Sequence, residues 1–413
     1  MIRRPVVLLV FLTALNFANY IDRFVMAAVL FSVQKSIALS KEEAGLLATV
    51  FLVGFFASSP VFGYLGDRVP RKWLVVVGAV CWSIATITSG MSEGKSGLFI
   101  SRAFVGVGEA SFTALAPTLI QDVAPDGKKA KWQSIFQIAG PVGAALGFLI
   151  GGHLDHTVGW RHAFIYTGAP GIALALFGCM LAEPEKEGGK QPPRSMLEDV
   201  KLLLALPGYV RAVLGYVGLT FTVGGFAHWA PYFMQSQFGT PTNKASMSFG
   251  TITVLAGTLA TVLGGWLGQR AEAKHDDHDM VGKSRSLLRV CGIGAMLGAP
   301  MAAAAFFSPN ATFFLVFAFL AELGIFLSNG PINLAVFRAV PPAVKATATA
   351  LMLFAIHAGG DLISPWLVGR IADRVPESSM SLAMIPLPLA LGVGGFVWFT
   401  ASKRRTTSAT IAA

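Results

Sequence analysis

Two pairs of opposite charges stand inside stretches that read as membrane spans. Asp22 and Arg23 interrupt an apolar run that begins near residue 5, and Arg102 and Glu109 interrupt another from about residue 97 to about residue 120. At about 1.5 Å per helical residue, Asp22 and Arg23 lie roughly 25 Å into their helix, just past the bilayer centre. Arg102 and Glu109 are seven residues apart, two helical turns, and share one face. A central charge costs about 2.5 to 3.5 kcal/mol on the insertion scale, so four without partners would cost roughly 10 to 14 kcal/mol. Grouped, the four sum to zero. Glu109, desolvated beside cations, can exchange a proton, while the planar donor fork of Arg23 or Arg102 suits a carboxylate or phosphate. The competing reading is an ion-pair network that only packs; apolar replacements of such networks are often at least as stable, which favours function.

Other polar groups are placed where they could act in the second half of the chain. His357 and Asp361 are one turn apart in a span near 344–370 and read as a gate or proton relay; Glu322 sits near the middle of the preceding span. Asn329 and Asn333 share a face there, with helix-to-helix hydrogen bonding an equal reading. Phe24, Phe112, Phe136, Tyr216, Phe226, Trp229 and Phe354 supply aromatic surface, and an apolar wall beside a charged cluster suits an amphipathic ligand. The run His275 to Asp279 (HDDHD) reads as a solvated loop, since its flanks offer a metal no second shell. No Ser/His dyad, metal-ligand pair or nucleotide cradle stands at a suitable spacing, so neither an enzyme nor a metal or cofactor is expected. Cys81, Cys179 and Cys291 are isolated in apolar sequence and read as reduced packing residues.

Membrane helices must carry these groups. Of 413 residues, 54% are hydrophobic and 13% charged, against about 25% charged in an average soluble domain. That excludes an ordinary soluble protein. The first apolar run continues past Arg23 without a small-residue cleavage site and reads as a membrane helix, not a signal peptide. Spans are expected at approximately 5–33, 43–65, 73–90, 97–120, 131–154, 162–182, 208–235, 247–268, 287–307, 311–337, 344–370 and 379–401. The net charge of +10 sits in short loops, which points to topology and not to nucleic acid. With the N-terminus inside, 22 Lys and Arg fall on the inner side and 7 on the outer, which places both termini in the cytoplasm. The stretch 183–206 reads as a cytoplasmic linker between two six-helix bundles, 1–182 and 207–413.

One short pattern recurs after every second span of three: Gly63-Tyr64-Leu65-Gly66-Asp67-Arg68, a worn Gly152-His153-Leu154-Asp155, Gly265-Trp266-Leu267-Gly268-Gln269-Arg270, and Gly369-Arg370-Ile371-Ala372-Asp373-Arg374. Copies one and three are 202 residues apart and copies two and four 217, about half of the chain. The halves are duplicates, each built from two units of opposite orientation, as in alternating-access carriers. Gly63 to Lys72 (GYLGDRVPRK) and Arg102 to Ala110 (RAFVGVGEA) resemble the signatures of the major facilitator superfamily. Asn19-Tyr20-Ile21-Asp22-Arg23, Gly106 to Thr118, Pro141 to Gly152 and His357 to Pro365 (HAGGDLISP) resemble the Spinster family of lipid-type transporters within it.

The resemblance implies an all-α membrane protein with twelve transmembrane helices in two pseudo-symmetric six-helix bundles, the major facilitator fold. It carries Asp22 and Glu109 over as proton-coupling residues and Arg23 as a binding residue. Arg102, Tyr20, Phe24, Phe112, Phe136, Trp229, His357 and Asp361 are expected to complete the substrate site. Gly63, Asp67, Arg68 and Arg71 are expected to form a cytoplasmic gate. The expected activity is proton-coupled transport of an amphipathic anion, such as a lysophospholipid or a sphingosine-phosphate-like lipid. A symporter of small organic anions such as sugar acids is the alternative, and the HAGGDLISP stretch and the aromatic wall argue against it. The expected partners are that substrate, protons and the bilayer, with the protein monomeric in a bacterial inner membrane.

Overall fold

The structure is a computed structural model that describes residues 4–66, 68–125, 128–183, 196–276, 278–341, 344–376 and 379–403. Among them, twelve helices are long and apolar enough to cross a membrane: α1 (Pro5–Ile37), α2 (Lys41–Gly66), α3 (Arg71–Met91), α4 (Lys95–Val123), α5 (Lys131–Val158), α6 (Trp160–Cys179), α7 (Pro207–Phe238), α8 (Thr242–Glu272), α9 (Met280–Phe306), α10 (Ala311–Ala339), α11 (Thr347–Ala372) and α12 (Met380–Ala401). Each coincides with an apolar run, and most continue for part of a turn into the polar residues beyond it. The widest departure is α9, which starts at Met280 where the apolar pattern suggests about residue 287. Asp279 causes the early start, because its carboxylate caps the helix by accepting from the Gly282 amide at 2.8 Å. That hydrogen bond also holds the Asp279 carboxyl below its usual pKa. His275 approaches the same carboxylate at 3.1 Å, so this part of the HDDHD run builds a helix start. In the linker, Met196–Leu204 form a short helix.

Prolines decide where several spans break. The α-helical hydrogen bonding of α5 is interrupted between Gln137 and Ala139, three residues before Pro141. That of α10 is interrupted between Phe326 and Asn329, just ahead of Pro331. In α11 a π-helical turn, His357–Asp361, ends four residues before Pro365. A proline removes one donor and its ring crowds the carbonyl four residues back, which accounts for these positions. Pro60, Pro117, Pro170, Pro231 and Pro300 sit inside helices that stay continuous.

Two compact units make up the chain. The first contains Met1–Gln191, Ala227–Val254 and Pro365–Ala383, so parts of α7, α8 and α11 pack with the first six helices. Trp82, Trp229, Phe112, Phe148 and Phe164 are among its largest fully buried apolar side chains. Its helices approach closely where side chains are smallest. A Cβ on Gly108 of α4 would fall on the backbone of Trp82 and Gly78 in α3. In the second unit, Pro192–Phe226, Leu255–Ser364 and Met384–Ala413, the core gathers around Tyr209, Met352 and Trp398. Tyr209 Oη donates to the Ala348 carbonyl at 2.8 Å and Trp398 Nε1 to that of Ala212 at 2.9 Å, so both bury a satisfied polar atom.

The α3–α4 contact sets a test of packing. Overfilling a close-packed site costs about 1–3 kcal/mol. Gly108→Leu is expected to lower the melting temperature of the detergent-purified protein by several degrees. Gly265→Leu is expected to leave it unchanged, because a Cβ there meets nothing within 4 Å. Circular dichroism melts of the two variants check the contrast.

Candidate functional site

The four charges of α1 and α4 do meet. Arg23 Nη2 donates to Glu109 Oε2 at 2.7 Å, with the Glu109 side chain fully buried and that of Arg23 27% exposed. Asp22 is buried and accepts a hydrogen bond at Oδ2 from Thr86 Oγ1 of α3. Arg102 is buried close enough to feel the charges of both Asp22 and Glu109. Asp22 Oδ1, Glu109 Oε1 and Arg102 Nε and Nη1 are buried with no hydrogen-bond partner among the described residues. The cluster has two cations and two anions, and part of its donor and acceptor capacity is unspent.

Aromatic faces frame the cations. The Arg23 guanidinium lies 5.0 Å from the ring centroid of Phe51 and 5.6 Å from those of Phe55 and Tyr20. Arg102 lies 5.2 Å from the same Phe51 ring, so one α2 side chain holds both guanidiniums. Tyr20, Phe24 and Phe55 are half-buried. Three aromatics expected in the substrate wall have packing roles instead. Phe112 is fully buried between Trp82 and Phe136, at centroid distances of 5.7 and 5.9 Å, and Phe136 is buried too. Trp229 is fully buried and donates through Nε1 to the Pro365 carbonyl at 2.9 Å. Of the remaining aromatics, Phe226 is buried against Phe306 and Phe314, Tyr216 packs on Trp398, and Phe354 is exposed.

In the second unit, His357 Nδ1 lies 2.9 Å from Asp361 Oδ2, across the π-helical turn of α11, and both side chains are partly open. Thr220 of α7 donates to the Ile356 carbonyl at 2.8 Å, beside that turn. Glu322 is buried. Asn329 donates to Thr261 Oγ1 of α8 at 3.2 Å, a bond between helices, whereas Asn333 donates to the Asn329 carbonyl of its own helix at 3.1 Å.

The expected gate residues separate into different environments. Arg71 is buried, with its guanidinium on Asp122 and on Thr118 Oγ1 of α4. The Glu183 carboxylate accepts from the amides of Arg71 and Lys72 at 2.9 Å each, which caps the start of α3. Lys72 Nζ donates to the Leu181 carbonyl at 2.7 Å. Arg68 is exposed and lies 3.5 Å over the Tyr64 ring. Gly66 packs under Leu115 and Arg71, whereas Gly63 has open space around it and supports no close approach. Asp67 lies outside the described residues. Asp122, Thr118, Glu183 and Thr86 escape a reading of the sequence because each is an ordinary residue whose partner is distant along the chain.

The chain is similar in sequence and in fold to known proteins. Residues 12–365 match the Major Facilitator Superfamily. Protein spinster homolog 1 of Xenopus laevis is 32% identical over 428 residues, covering 96% of this chain and 78% of the relative. The probable sphingolipid transporter spinster homolog 2 of Arabidopsis thaliana is 29% identical over 435 residues, covering 95% and 87%. The chain spans 60% of the length of protein spinster of Drosophila melanogaster, to which it is 32% identical over 376 residues. The crystal structure of a bacterial homologue of the human lysosomal transporter Spinster, inward-facing and unoccupied, aligns with a TM-score of 0.81 at 20% identity, covering 97% of both chains.

The Arg71–Asp122 pair gives a stability test. Removing one member of a buried pair leaves a charge alone and costs about 3–5 kcal/mol, while replacing both with apolar groups is often near neutral. Asp122→Ala is therefore expected to destabilise the purified protein strongly, and Arg71→Met with Asp122→Leu to recover much of the loss. Thermal unfolding in detergent measures both.

Proposed function

The chain belongs to the Spinster family of the major facilitator superfamily, and from this premise we propose that it couples proton binding to the transport of an amphipathic anion, with Arg23 as the shared partner of substrate and Glu109. As a member of that family it is a transporter and not an enzyme. The observation that carries the proposal is the Arg23–Glu109 contact, in which the carboxylate is buried and the guanidinium is partly open. A substrate anion and the Glu109 carboxylate compete for one donor fork. A proton on Glu109 releases the fork, and an anionic head then takes the carboxylate's place.

Charge conservation supports this exchange. The cluster of Asp22, Arg23, Arg102 and Glu109 is neutral, and one proton together with one monoanion leaves it neutral. Either alone would leave a net charge in a low-dielectric site, where charge is costly. Asp22 supplies a second protonation site for a dianionic phosphate. Tyr20, Phe24 and Phe55 offer the apolar surface for a tail. The aromatics and the sphingolipid named for the Arabidopsis relative favour a lysophospholipid or sphingosine-phosphate-like substrate over a sugar acid. The two six-helix bundles, 1–182 and 207–413, move about this site with both termini in the cytoplasm. The protein acts as a monomer, in the inner membrane if its source is bacterial.

Two outcomes test the proposal. Anion binding is expected to strengthen as pH falls, and Glu109→Gln, which cannot exchange a proton, should abolish that dependence in liposome transport. Persistent uphill accumulation by the mutant under a pH gradient would move the coupling to Asp22 or Asp361. In a series of equal heads and shortened chains, affinity should fall by up to about 0.8 kcal/mol for each methylene withdrawn from burial. Arg23→Lys should weaken every member of the series. A flat response to chain length, with short hydrophilic acids transported well, would favour the sugar-acid reading.

A further inference from the structure

The fourth copy of the repeated pattern, Gly369 to Arg374, has no part in the site above, yet its aspartate makes specific contacts. The helix it meets is α2, which opens with a capping box. Ser40 Oγ accepts from the Glu43 amide at 3.1 Å, and the Glu43 carboxylate accepts from the Ser40 amide at 2.7 Å. That arrangement leaves the amides of Lys41 and Glu42, the first two of the helix, without a local acceptor. One carboxylate from the end of α11 takes both. Asp373 Oδ1 accepts from Lys41 and Asp373 Oδ2 from Glu42, each at 2.8 Å.

Further contacts surround this cap. Trp366 Nε1 donates to Glu42 Oε1 at 2.8 Å, and Lys41 Nζ to the Ala372 carbonyl at 3.4 Å. The backbones touch: a Cβ on Gly45 would fall on the Pro365 carbonyl, and one on Gly369 on that of Lys41. One turn into α2, the Ala44 carbonyl accepts from the buried ring of His228 at 3.1 Å. Asp373, by contrast, is exposed.

We propose that Asp373 is a gate residue of the transport cycle: by capping α2 it holds closed the end of the protein opposite the N-terminus, and the cap is broken and remade in each cycle. The segment Pro365–Ala383 lies in the second half of the chain by sequence but packs within the first unit. In an alternating-access carrier the halves must part at this end, so the contacts that join them must be separable. An exposed carboxylate on two helix-terminal amides meets that need. Both sides regain water when they separate, whereas a buried apolar seam would not release so readily. The repeat carries the same residue type at position 67, in its first copy. Of the functional reading above, the inference uses only membership in a carrier family, and it is independent of substrate and proton coupling.

Cysteine accessibility tests the gate without any substrate. Ser246, fully buried where α8 meets α1 in the same unit, serves as reporter: its hydroxyl donates to the Ala28 carbonyl at 3.1 Å. In a Ser246→Cys protein with Cys81, Cys179 and Cys291 replaced, maleimide labelling in detergent should be slow. Asp373→Asn should speed it roughly twofold to fivefold, the range expected for losing a charge at a helix terminus. Lys41→Pro should speed it less. Proline is well tolerated at the first helical position, so that variant removes one donor and leaves the helix intact. It also decides the matter if Asp373→Asn fails to fold. Unchanged labelling in folded protein overturns the proposal, as does a lower melting temperature with unchanged labelling below it, which marks a static cap.

Discussion

The cost of charge in hydrocarbon governs the centre of this protein. Two acids and two bases are held where each alone would be strongly unfavourable, and they are tolerable because they are neutral together. That condition fixes much else. Arg23 must face Glu109, so α1 and α4 must be adjacent at that level. Thr86 must reach Asp22, which brings in α3, and Phe51 must spread beneath two guanidiniums, which brings in α2. A four-helix arrangement follows from one electrostatic requirement. On the proposed mechanism, the same requirement makes an entering anion bring a proton with it.

Small residues and prolines provide the mechanical setting. Without a hydrophobic drive between helices in lipid, close backbone approach and hydrogen bonds hold the bundle together, as Gly108 on Trp82 and Trp398 on Ala212 illustrate. The π-helical turn in α11 relaxes the backbone just before Pro365. The boundary between the two compact units crosses α11 at Ser364 and Pro365, directly after that turn.

Sequence and structure agree wherever the signal is local. Apolar runs give helices, and a charge inside an apolar run stands out, so Asp22, Arg23, Arg102 and Glu109 are legible without coordinates. The rotation of a helix about its axis is not local, and aromatic residues show its effect. Phe112, Phe136 and Trp229 resemble Tyr20 and Phe24 in type and depth but face inward to packing, a difference set by neighbours on other helices. Gly63 and Gly66 make the same point within one signature, since only Gly66 meets a neighbour. Contacts between distant segments are hidden for a similar reason: Asp122 lies 51 residues from Arg71, and Asp373 lies 332 from Lys41. Nothing in a single sequence ties such residues together.

Helix starts show how these hidden contacts share a common physics. Asp279 caps α9 from the adjacent position, Glu183 caps α3 from the end of α6, and Asp373 caps α2 from the end of α11. In all three a carboxylate accepts from the first amides of a helix, where the backbone dipole favours negative charge. What differs is the distance along the chain, and with it the consequence of separation. Releasing Asp279 frays one helix end, and releasing Glu183 loosens one bundle. Releasing Asp373 frees the end of α11 from α2, a change between the two halves of the sequence. A single inexpensive interaction therefore serves as a local cap, a tertiary tie or a gate according to where the chain delivers the carboxylate. Because the exposed cap loses little on hydration, its separation costs less than that of a buried contact.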